Sequence, residues 1–238
     1  MGNDGVELSF CITCKGRLHH IKQTLLSNLE VAREYFPRVE FVLIDYDSGD
    51  FLMPWVKRYC GEFLREGVLR CFSSAISLRY FHMSHAKNVA HSFARGSILC
   101  NLDADNFIQD SLLRVLFDVF TRAPSSIVYG LGCASGRIAI TKENFVLLGG
   151  YDEAMEGWGW DDLDFFKRAV GFLRINPVLV EGMDLFLRHS SKERLENYKV
   201  PSLDYYWLRN GRIHRGNMYF KRYVANLGKP WGAFLVKE

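Results

Sequence analysis

The first hundred residues alternate between short apolar runs and longer segments with helical periodicity, and this alternation restricts the folds open to the chain. The apolar runs predict four strands, at residues 8–14, 39–45, 67–72 and 97–102. The intervening segments predict helices at residues 18–35, 51–64 and 84–95. Strands that alternate with helices are typical of a mainly parallel sheet with helices on both faces. We therefore predict an α/β protein that begins with a Rossmann-like, nucleotide-binding half.

The pattern becomes less regular after residue 106. A helix is predicted to begin at Asp110, a short helix to cover residues 142–148, and a third helix to begin at Asp161. Short strands are predicted at residues 126–132, 137–141, 175–180 and 183–188. This second half therefore adds strands and helices to the sheet without repeating the regular alternation of the first half.

Two carboxylates, Asp103 and Asp105, follow directly on the fourth predicted strand. Residues i and i+2 of an extended segment point the same way, and open α/β sheets bind ligands beyond the carboxyl ends of their strands. Two converging carboxylates repel each other unless a cation lies between them, and a hard divalent cation can also hold substrate phosphates. Taken alone, the Asp-Ala-Asp sequence is a weak signal, and a solvated turn is then the favoured interpretation.

A second motif lies some fifty residues further on and favours the functional interpretation. It reads Gly-Gly-Tyr-Asp-Glu from Gly149, then Gly-Trp-Gly-Trp-Asp-Asp-Leu-Asp from Gly157. Glycines let a backbone approach a ligand closely, an exposed Trp offers a flat face to a sugar ring, and a carboxylate at a helix start can accept a proton. The alternative is a helix N-terminus after a loop, with the two Trp side chains in the core.

Composition excludes several other classes. No Gly-x-Gly-x-x-Gly follows the first strand and no P-loop sequence occurs, which argues against dinucleotide and P-loop sites. The net charge of +3 is too small to indicate nucleic acid binding. No apolar run reaches the roughly 18 residues of a membrane span, and residues 1–5 do not resemble a secretory signal. We therefore expect a cytoplasmic protein, peripheral at most to the inner face of the membrane.

The six cysteines lie mostly in apolar, strand-like runs, which is typical of reduced, buried thiols. Cys11 and Cys14 have the Cys-x-x-Cys spacing, but no second pair completes a zinc site, so we assign both to a buried strand.

The tail from residue 191 to residue 238 differs in kind, since basic and aromatic residues are interleaved along it. Such a segment can bind an anionic membrane surface or an anionic acceptor. More commonly it consists of packed aromatic rings with solvated charges between them. We predict a helical extension and favour packed aromatic rings, with peripheral membrane contact through the basic tail as the alternative.

Asp-Ala-Asp followed by Gly-Gly-Tyr-Asp-Glu and Gly-Trp-Gly-x-Asp-Asp resembles the GT-A-fold glycosyltransferases, in particular family 2 and the galactosyltransferase-type C-terminal region of the β-1,4-galactosyltransferases. The resemblance covers most of residues 6–190. It implies a glycosyltransferase domain at residues 1–190, with a nucleotide-binding half at 1–106 and an acceptor or catalytic half at 107–190. Residues 191–238 are then an extension.

The resemblance assigns nucleotide contacts to the first half. Thr13 and Arg17 match the residues that contact the base, Asp45 matches the acid that binds uracil, and Lys87 lies where the family's helix faces the nucleotide and diphosphate. Each residue also has an ordinary explanation. Thr13 and Asp45 suit strand-end turns, and Lys87 suits a solvated helix surface.

The resemblance also implies a metal site for Mn²⁺ or Mg²⁺. Asp103 matches the acid near the ribose and metal, Asp105 the direct ligand, and His189 the third ligand. Trp158 and Gly159 match the loop that faces the sugar. A lone surface histidine is the alternative for His189.

Asp162 matches the catalytic base of the inverting enzymes, and Asp161 stands beside it where many relatives have Glu. Trp160 departs from the family, which usually has Gly there, so we expect it to influence acceptor choice. The implied reaction transfers galactose, N-acetylgalactosamine or glucose from a UDP-sugar to a hydroxyl of a glycan or glycolipid, as in polysaccharide biosynthesis. The alternatives are a nucleotidyltransferase that makes activated sugars and a non-catalytic nucleotide-sugar-binding protein.

Overall fold

The computed structural model describes residues 5–131, 136–180 and 185–237. Its strands are β1 (Leu8–Cys14), β2 (Val39–Asp45), β3 (Leu69–Ser73), β4 (Ile98–Asn101), β5 (Ser126–Gly130), β6 (Ile138–Thr141) and β7 (Asn176–Val180). Its α-helices are α1 (Leu18–Val31), α2 (Leu52–Tyr59), α3 (Gly61–Arg65), α4 (Met83–Phe93), α5 (Asp110–Arg122), α6 (Lys142–Leu147), α7 (Asp161–Leu173), α8 (Ser191–Leu195) and α9 (Leu203–Tyr219). A short 3₁₀ turn, Arg33–Tyr35, follows α1.

The strands of the described residues form one seven-stranded sheet in the order β3-β2-β1-β4-β6-β5-β7. β6 runs antiparallel to both of its neighbours, and the other neighbouring strands pair in parallel. The mainly parallel α/β sheet predicted from the sequence is therefore confirmed. β1 and β4 are adjacent at its centre, so the residues that follow them lie beside each other at one edge.

The sheet is covered on both faces, and β1 shows this residue by residue. Leu8, Phe10 and Ile12 face a core formed with α1, α2, α3 and α5, whereas Cys11 faces a second core formed with α4, α6 and α7. This is the alternation that the two-residue period of a strand imposes. The rings of Phe10 and Phe41 stack across β1 and β2 with centroids 5.1 Å apart. Cys11 and Cys14 are buried free thiols within β1, as predicted.

Three predicted elements differ from the observed ones. The helix predicted at residues 18–35 ends at Val31 and continues only as the 3₁₀ turn. The helix predicted at residues 51–64 divides into α2 and α3 at Cys60, next to Gly61, a residue that weakens a helix interior. The strand predicted at residues 183–188 was wrong for its described part: residues 185–188 make a single bridge, between Phe186 and Asn106. Residues 132, 183 and 184, at the ends of two predicted strands, lie outside the described residues.

The C-terminal extension packs against the second sequence motif. Asn210 on α9 donates hydrogen bonds to the backbone oxygens of Glu156, at 2.9 Å, and Gly159, at 3.0 Å. The backbone amide of Ala225 donates to the oxygen of Leu148 at 2.9 Å. Gly149 has a φ of +67°, and a Cβ there would lie 2.2 Å from the oxygen of Ala225, so only glycine permits this contact. The extension therefore holds the motif's loop in place.

A buried ion pair joins α7 to the same extension. Arg168 donates to Asp164 Oδ2 at 2.7 Å, and both side chains are fully buried. The guanidinium also donates to the backbone oxygens of Leu148, Gly150 and Tyr223. Burial would raise the pKa of Asp164, but the hydrogen bond from His214 and the charge of Arg168 outweigh it and lower the pKa. Removing either partner of such a buried pair destabilises the fold strongly, because the other charge stays buried without compensation.

Replacing Arg168 by Met should lower the free energy of unfolding by about 3–5 kcal/mol, because it leaves the Asp164 carboxylate buried without its cation. The measurement is urea denaturation at neutral pH. A matched control is Arg122→Met, which removes an Arg–Asp pair of the same helical spacing, to Asp118, whose side chains are 78% and 53% exposed. Since exposed pairs contribute little, the control should unfold at nearly the wild-type urea concentration. Equal losses in the two variants would show that burial of the Asp164 pair has no special role.

Candidate active site

A cleft of about 670 Å³ opens beyond the carboxyl ends of β1 and β4 and beside the start of α7. It brings together residues from both sequence motifs and from the tail. The sequence-predicted residues that line it are Thr13, Arg17, Lys87, Asp103, Asp105, Trp158, Gly159, Asp161, Asp162 and His189. This is the position at which open α/β sheets bind ligands.

Asp45 is the predicted site residue that the structure does not place in the lining of this cleft. Its carboxylate sits at the end of β2 and accepts hydrogen bonds from the Ser48 amide at 2.9 Å and from Ser73 Oγ at 3.1 Å. These bonds hold the turn after β2 and connect it to the end of β3. The ordinary alternative for Asp45, a strand-end turn residue, describes this arrangement.

Asp105 and His189 meet across the cleft although 84 residues separate them. His189 Nε2 lies 3.0 Å from Asp105 Oδ2. The backbone makes this possible, because the Leu187 amide donates to the Asp105 oxygen at 2.8 Å. Burial, and then the nearby charge of Asp103, raise the pKa of Asp105, although His189 opposes the shift. A carboxylate in this situation is stabilised by a bound cation.

Asp103 lies near that pair without making contact as close as theirs. Its Oδ1 accepts a hydrogen bond from Asn101 Nδ2 at 3.1 Å. The donor atoms of Asp103, Asp105 and His189 do not all lie within 4.8 Å of one another. In the described part of the chain, a group of three donor atoms that close together occurs at His19, His20 and Glu193. A Cβ at Gly136 would lie 2.8 Å from Asp103 Oδ2 and 3.3 Å from Asp162 Oδ2, so Gly136 keeps space open between the two acids.

The donor chemistry at Asp105 and His189 fits a divalent cation. A carboxylate oxygen and an imidazole nitrogen already touch, a second carboxylate lies nearby, and the cleft leaves room for ligands from a substrate. Among the described residues, the buried His189 Nδ1 has no hydrogen-bond partner, whereas metal-binding histidines usually donate this second nitrogen to a neighbour. The residues that would hold the cation are therefore Asp105 and His189, with Asp103 beside them.

Lys87 joins the two carboxylates that begin α7. Its Nζ donates to Asp161 Oδ2 and to Asp162 Oδ1, at 2.7 Å in each case. The Lys87 side chain is 1% exposed, Asp161 5% and Asp162 22%, so Asp162 is the acid with access to the cleft. Burial alone would lower the pKa of Lys87, but Asp161 and Asp162 outweigh it and raise the pKa well above its usual value.

Asp162 is held with an unusually high affinity for a proton. Burial, and next the charge of Asp161, raise the pKa of its carboxyl to about 8, against the opposing effect of Lys87. The backbone before it has a left-handed residue, Trp160, with a φ of +73°, and α7 begins immediately after that turn. Acids in the first turn of a helix are stabilised by its N-terminal dipole. The local sequence thus places both acids at the helix start, and Lys87 orients them.

Glu193 on α8 contacts three basic or imidazole side chains at the start of α1. Its Oε1 lies 2.9 Å from Arg17 Nη1, 2.8 Å from His19 Nε2 and 3.1 Å from His20 Nε2. Burial, with the nearby His19 and Arg17, lowers the pKa of His20 to about 4, which keeps this ring neutral. Since Arg17 already neutralises the carboxylate, this group acts as an ion pair between α1 and α8.

Sequence reasoning missed several residues of the cleft. They are Lys15, His20, Asn197, Tyr198 and Trp207. Lys15 follows β1, and its Nζ donates to the Asp47 backbone oxygen at 2.6 Å; its position at a strand end was the available signal. Asn197, Tyr198 and Trp207 come from the extension, and no local pattern marks them as cleft residues. Asn197 Nδ2 donates to the Lys15 oxygen at 2.9 Å across 182 residues.

Family models match the chain in two places. The model of glycosyl transferase family 2 matches residues 9–137, more than half of the 238 residues. The model of the N-terminal domain of galactosyltransferase matches residues 126–172, which include the second motif. The chain therefore belongs to glycosyl transferase family 2. A search of curated proteins found no match.

Solved structures of glycosyltransferases share the fold. The mannosyltransferase PcManGT from Pyrobaculum calidifontis, in complex with GDP-Man and Mn²⁺, matches with a TM-score of 0.61 and 17% identity over 74% of this chain and 55% of that one. GalNAc-T7 with UDP, GalNAc and Mn²⁺ matches with a TM-score of 0.66 and 17% identity over 91% and 50%. TarS 1–349 of S. aureus in complex with UDP matches with a TM-score of 0.58 and 14% identity, over 91% of this chain and 73% of that one.

These likenesses confirm the GT-A fold predicted from the sequence. The chain spans only 55% of the mannosyltransferase and 50% of GalNAc-T7, so both contain additional regions.

If Asp105 is a metal ligand, the Asp105→Asn variant should bind Mn²⁺ at least about tenfold more weakly in the presence of UDP, because it loses an anionic donor. Isothermal titration calorimetry measures the change directly. The control is Asp118→Asn, since this exposed acid on α5 lies outside the cleft lining. Unchanged Mn²⁺ affinity in Asp105→Asn would contradict the assignment.

Proposed function

We propose that the protein is a metal-dependent glycosyltransferase that moves a sugar from a UDP-sugar to a hydroxyl group of a glycan or glycolipid acceptor, with inversion. The sugar is galactose, N-acetylgalactosamine or glucose. The observation that carries the proposal is that Asp105 with His189, and Lys87 with Asp161 and Asp162, face one cleft. One group suits a cation with a diphosphate, and the other suits proton transfer from a hydroxyl.

The donor would lie along the first half of the cleft. In this proposal, Thr13 of β1 and Arg17, just before α1, contact the base, and Asp103 contacts the ribose; all three line the cleft. The bound cation, Mn²⁺ or Mg²⁺, would neutralise the charge that develops on the leaving diphosphate. Mn²⁺ accompanies GDP-Man or UDP in two of the similar structures. The described lining of the cleft contains no Gly-rich phosphate loop, so the diphosphate would depend mainly on this cation.

Asp162 is the better candidate for the base. Its carboxylate is more exposed to the cleft than that of Asp161, and its raised pKa gives it a high affinity for the proton of an attacking hydroxyl. Lys87 donates a hydrogen bond to Oδ1 of Asp162, and the other oxygen, Oδ2, faces Gly136 and the cleft. A base on the acceptor side supports a single displacement, and hence inversion at the anomeric carbon.

The test of the proposed function is nucleotide release from a panel of UDP-sugars and GDP-mannose, with Mn²⁺ and with chelator. Metal-dependent release of UDP from one donor supports sugar transfer. Release of pyrophosphate from a nucleoside triphosphate and a sugar phosphate would instead identify a nucleotidyltransferase. Binding of UDP and Mn²⁺ without any release, even with acceptors added, would identify a non-catalytic binding protein.

Replacing Asp162 by Asn should lower the transfer rate by about 10²–10⁴-fold while leaving UDP and Mn²⁺ affinities near those of the wild type, because a general base contributes about that factor. The wild-type rate should rise with pH and level off above the raised pKa of about 8, since Asp162 accepts a proton only when ionised. Glu156→Gln, which alters a half-exposed acid of the same loop, is the control. A wild-type rate in Asp162→Asn would show that the base is another residue.

We also propose that the C-terminal extension makes peripheral contact with an anionic membrane. Within the described chain no helix combines the length and apolar character needed to cross a membrane. Residues 205–237 contain seven Lys or Arg and no Asp or Glu, so the other residues carry 23 cations against 27 acids. Tyr219, Phe220 and Leu227 are 82%, 62% and 75% exposed beside these cations. Exposed aromatic rings among basic side chains suit an anionic lipid surface.

The double variant Lys221→Glu/Arg222→Glu should bind phosphatidylglycerol-containing vesicles at least about tenfold more weakly than the wild type, because each basic residue contributes about 1 kcal/mol at such a surface. Co-sedimentation measures binding, with pure phosphatidylcholine vesicles as the neutral reference. Lys57→Glu/Arg58→Glu makes the same charge change on an exposed part of α2 and should leave binding nearly unchanged. An equal loss of vesicle binding in the two double variants would show that binding depends on net charge alone and not on the extension.

A further inference from the structure

Three indole rings meet beside the acids that begin α7, and we refer to Trp158, Trp160 and Trp207 as the tryptophan cluster. The first two belong to the second sequence motif, whereas Trp207 lies on α9, in the C-terminal extension. The ring of Trp207 lies 5.9 Å from that of Trp158 and 4.8 Å from that of Trp160, measured between centroids. All three rings line the cleft.

The neighbours of each ring show which one is free to bind a ligand. Arg194 lies over Trp158 at 4.9 Å, and Trp207 stacks on the same indole. Trp160 lies between Trp207 and His214, whose ring centroid is 5.2 Å away. Trp207 itself is 48% exposed. Trp158 and Trp160 therefore support Trp207, and Trp207 presents the aromatic surface to the cleft.

The position of Trp207 is fixed by contacts to the motif's loop. Gly159 has a φ of +92°, and a Cβ there would lie 3.2 Å from the Trp207 ring, which therefore rests on the glycine. Asn210, three residues along α9, binds the backbone oxygens of Glu156 and Gly159. Trp160 approaches α9 at Gly211, where a Cβ would lie 3.1 Å from the indole. These contacts hold Trp207 next to the loop that leads directly into Asp161 and Asp162.

We propose that Trp207 forms the acceptor subsite, where the apolar face of a pyranose ring stacks on its indole and a sugar hydroxyl reaches Asp162. The inference rests on the proposed glycosyl transfer and narrows its acceptor to a saccharide, free or at the end of a larger molecule. A flat, rigid aromatic surface beside polar groups matches a sugar ring, which has C–H bonds on its faces and hydroxyls at its edge. An aliphatic chain or a peptide backbone would not need this flat surface.

The variants Trp207→Ala and Trp207→Phe test the proposal. Transfer from the active donor to a panel of methyl glycosides is measured together with donor hydrolysis in the absence of acceptor. In Trp207→Ala, the KM for the glycoside should rise about tenfold, while donor hydrolysis and UDP affinity stay within about twofold of wild type, because only the acceptor loses a contact. Trp207→Phe keeps a flat ring, so its KM for the glycoside should rise less than that of Trp207→Ala.

The matched control is Tyr205→Ala. Tyr205 lies on the same helix, is 47% exposed and is not in the cleft lining, so its loss should leave the glycoside KM unchanged. Saturation-transfer NMR of the glycosides with UDP and Mn²⁺ gives a readout independent of turnover. The glycoside signal should appear with wild-type protein and disappear in Trp207→Ala.

Three results would overturn the proposal. The first is an unchanged glycoside KM and NMR signal in Trp207→Ala. The second is an equal loss of hydrolysis, UDP affinity and transfer, which would give Trp207 a structural or donor-binding role. The third is a wild-type enzyme that releases UDP but neither binds nor glycosylates any glycoside, which would point to a peptide or polyprenyl acceptor. If the wild-type protein binds no UDP or GDP at all, the proposed glycosyl transfer itself has failed.

Discussion

The contact of Lys87 with Asp161 and Asp162 connects the two halves of the molecule. Lys87 lies on α4, which packs on the first strands, whereas the two acids begin α7, 74 and 75 residues later. A buried ammonium group is stable only beside buried anions, and two neighbouring carboxylates are stable only beside a cation. Each half of this group therefore requires the other. Burial and the charge of Asp161 raise the pKa of Asp162 and Lys87 opposes them, so the packing of the fold and the chemistry of the cleft depend on one set of groups.

A second buried group extends this arrangement into the C-terminal extension. Asp164 follows two residues after Asp162 and binds Arg168 and His214, the latter on α9. Asn217 Nδ2 also donates to Asp164, at 3.2 Å. Successive acids of one helical turn thus point in two directions: one pair lies with Lys87 at the cleft, and Asp164 points towards the extension. The position of α9, and with it the position of Trp207, follows from the same helix start that presents the candidate base.

Charge and aromatic surface are separated within the cleft. Asp105, four residues after β4, contacts His189, and a cation there would compensate both the carboxylates and a diphosphate. The tryptophan cluster lies beside α7, where a ring without charge can pack. Residues 205–237 carry seven basic residues and no Asp or Glu, and the other residues are acidic on balance. In our proposals, the donor, the acceptor and the membrane therefore use different surfaces of one chain.

The sequence by itself determined the α/β class, most of the strands and the order of the two acidic motifs, because the periods of strands and helices and the strand-end position of Asp103 and Asp105 are local properties. Local patterns failed at residues 185–188, where a strand was expected and a single bridge, between Phe186 and Asn106, is observed. Only the tertiary structure decided that Lys87 is buried between two acids and that Trp207 joins the cleft. The physical reason is that these contacts join segments far apart in the chain, where burial and charge pairing, rather than local periodicity, select the partners.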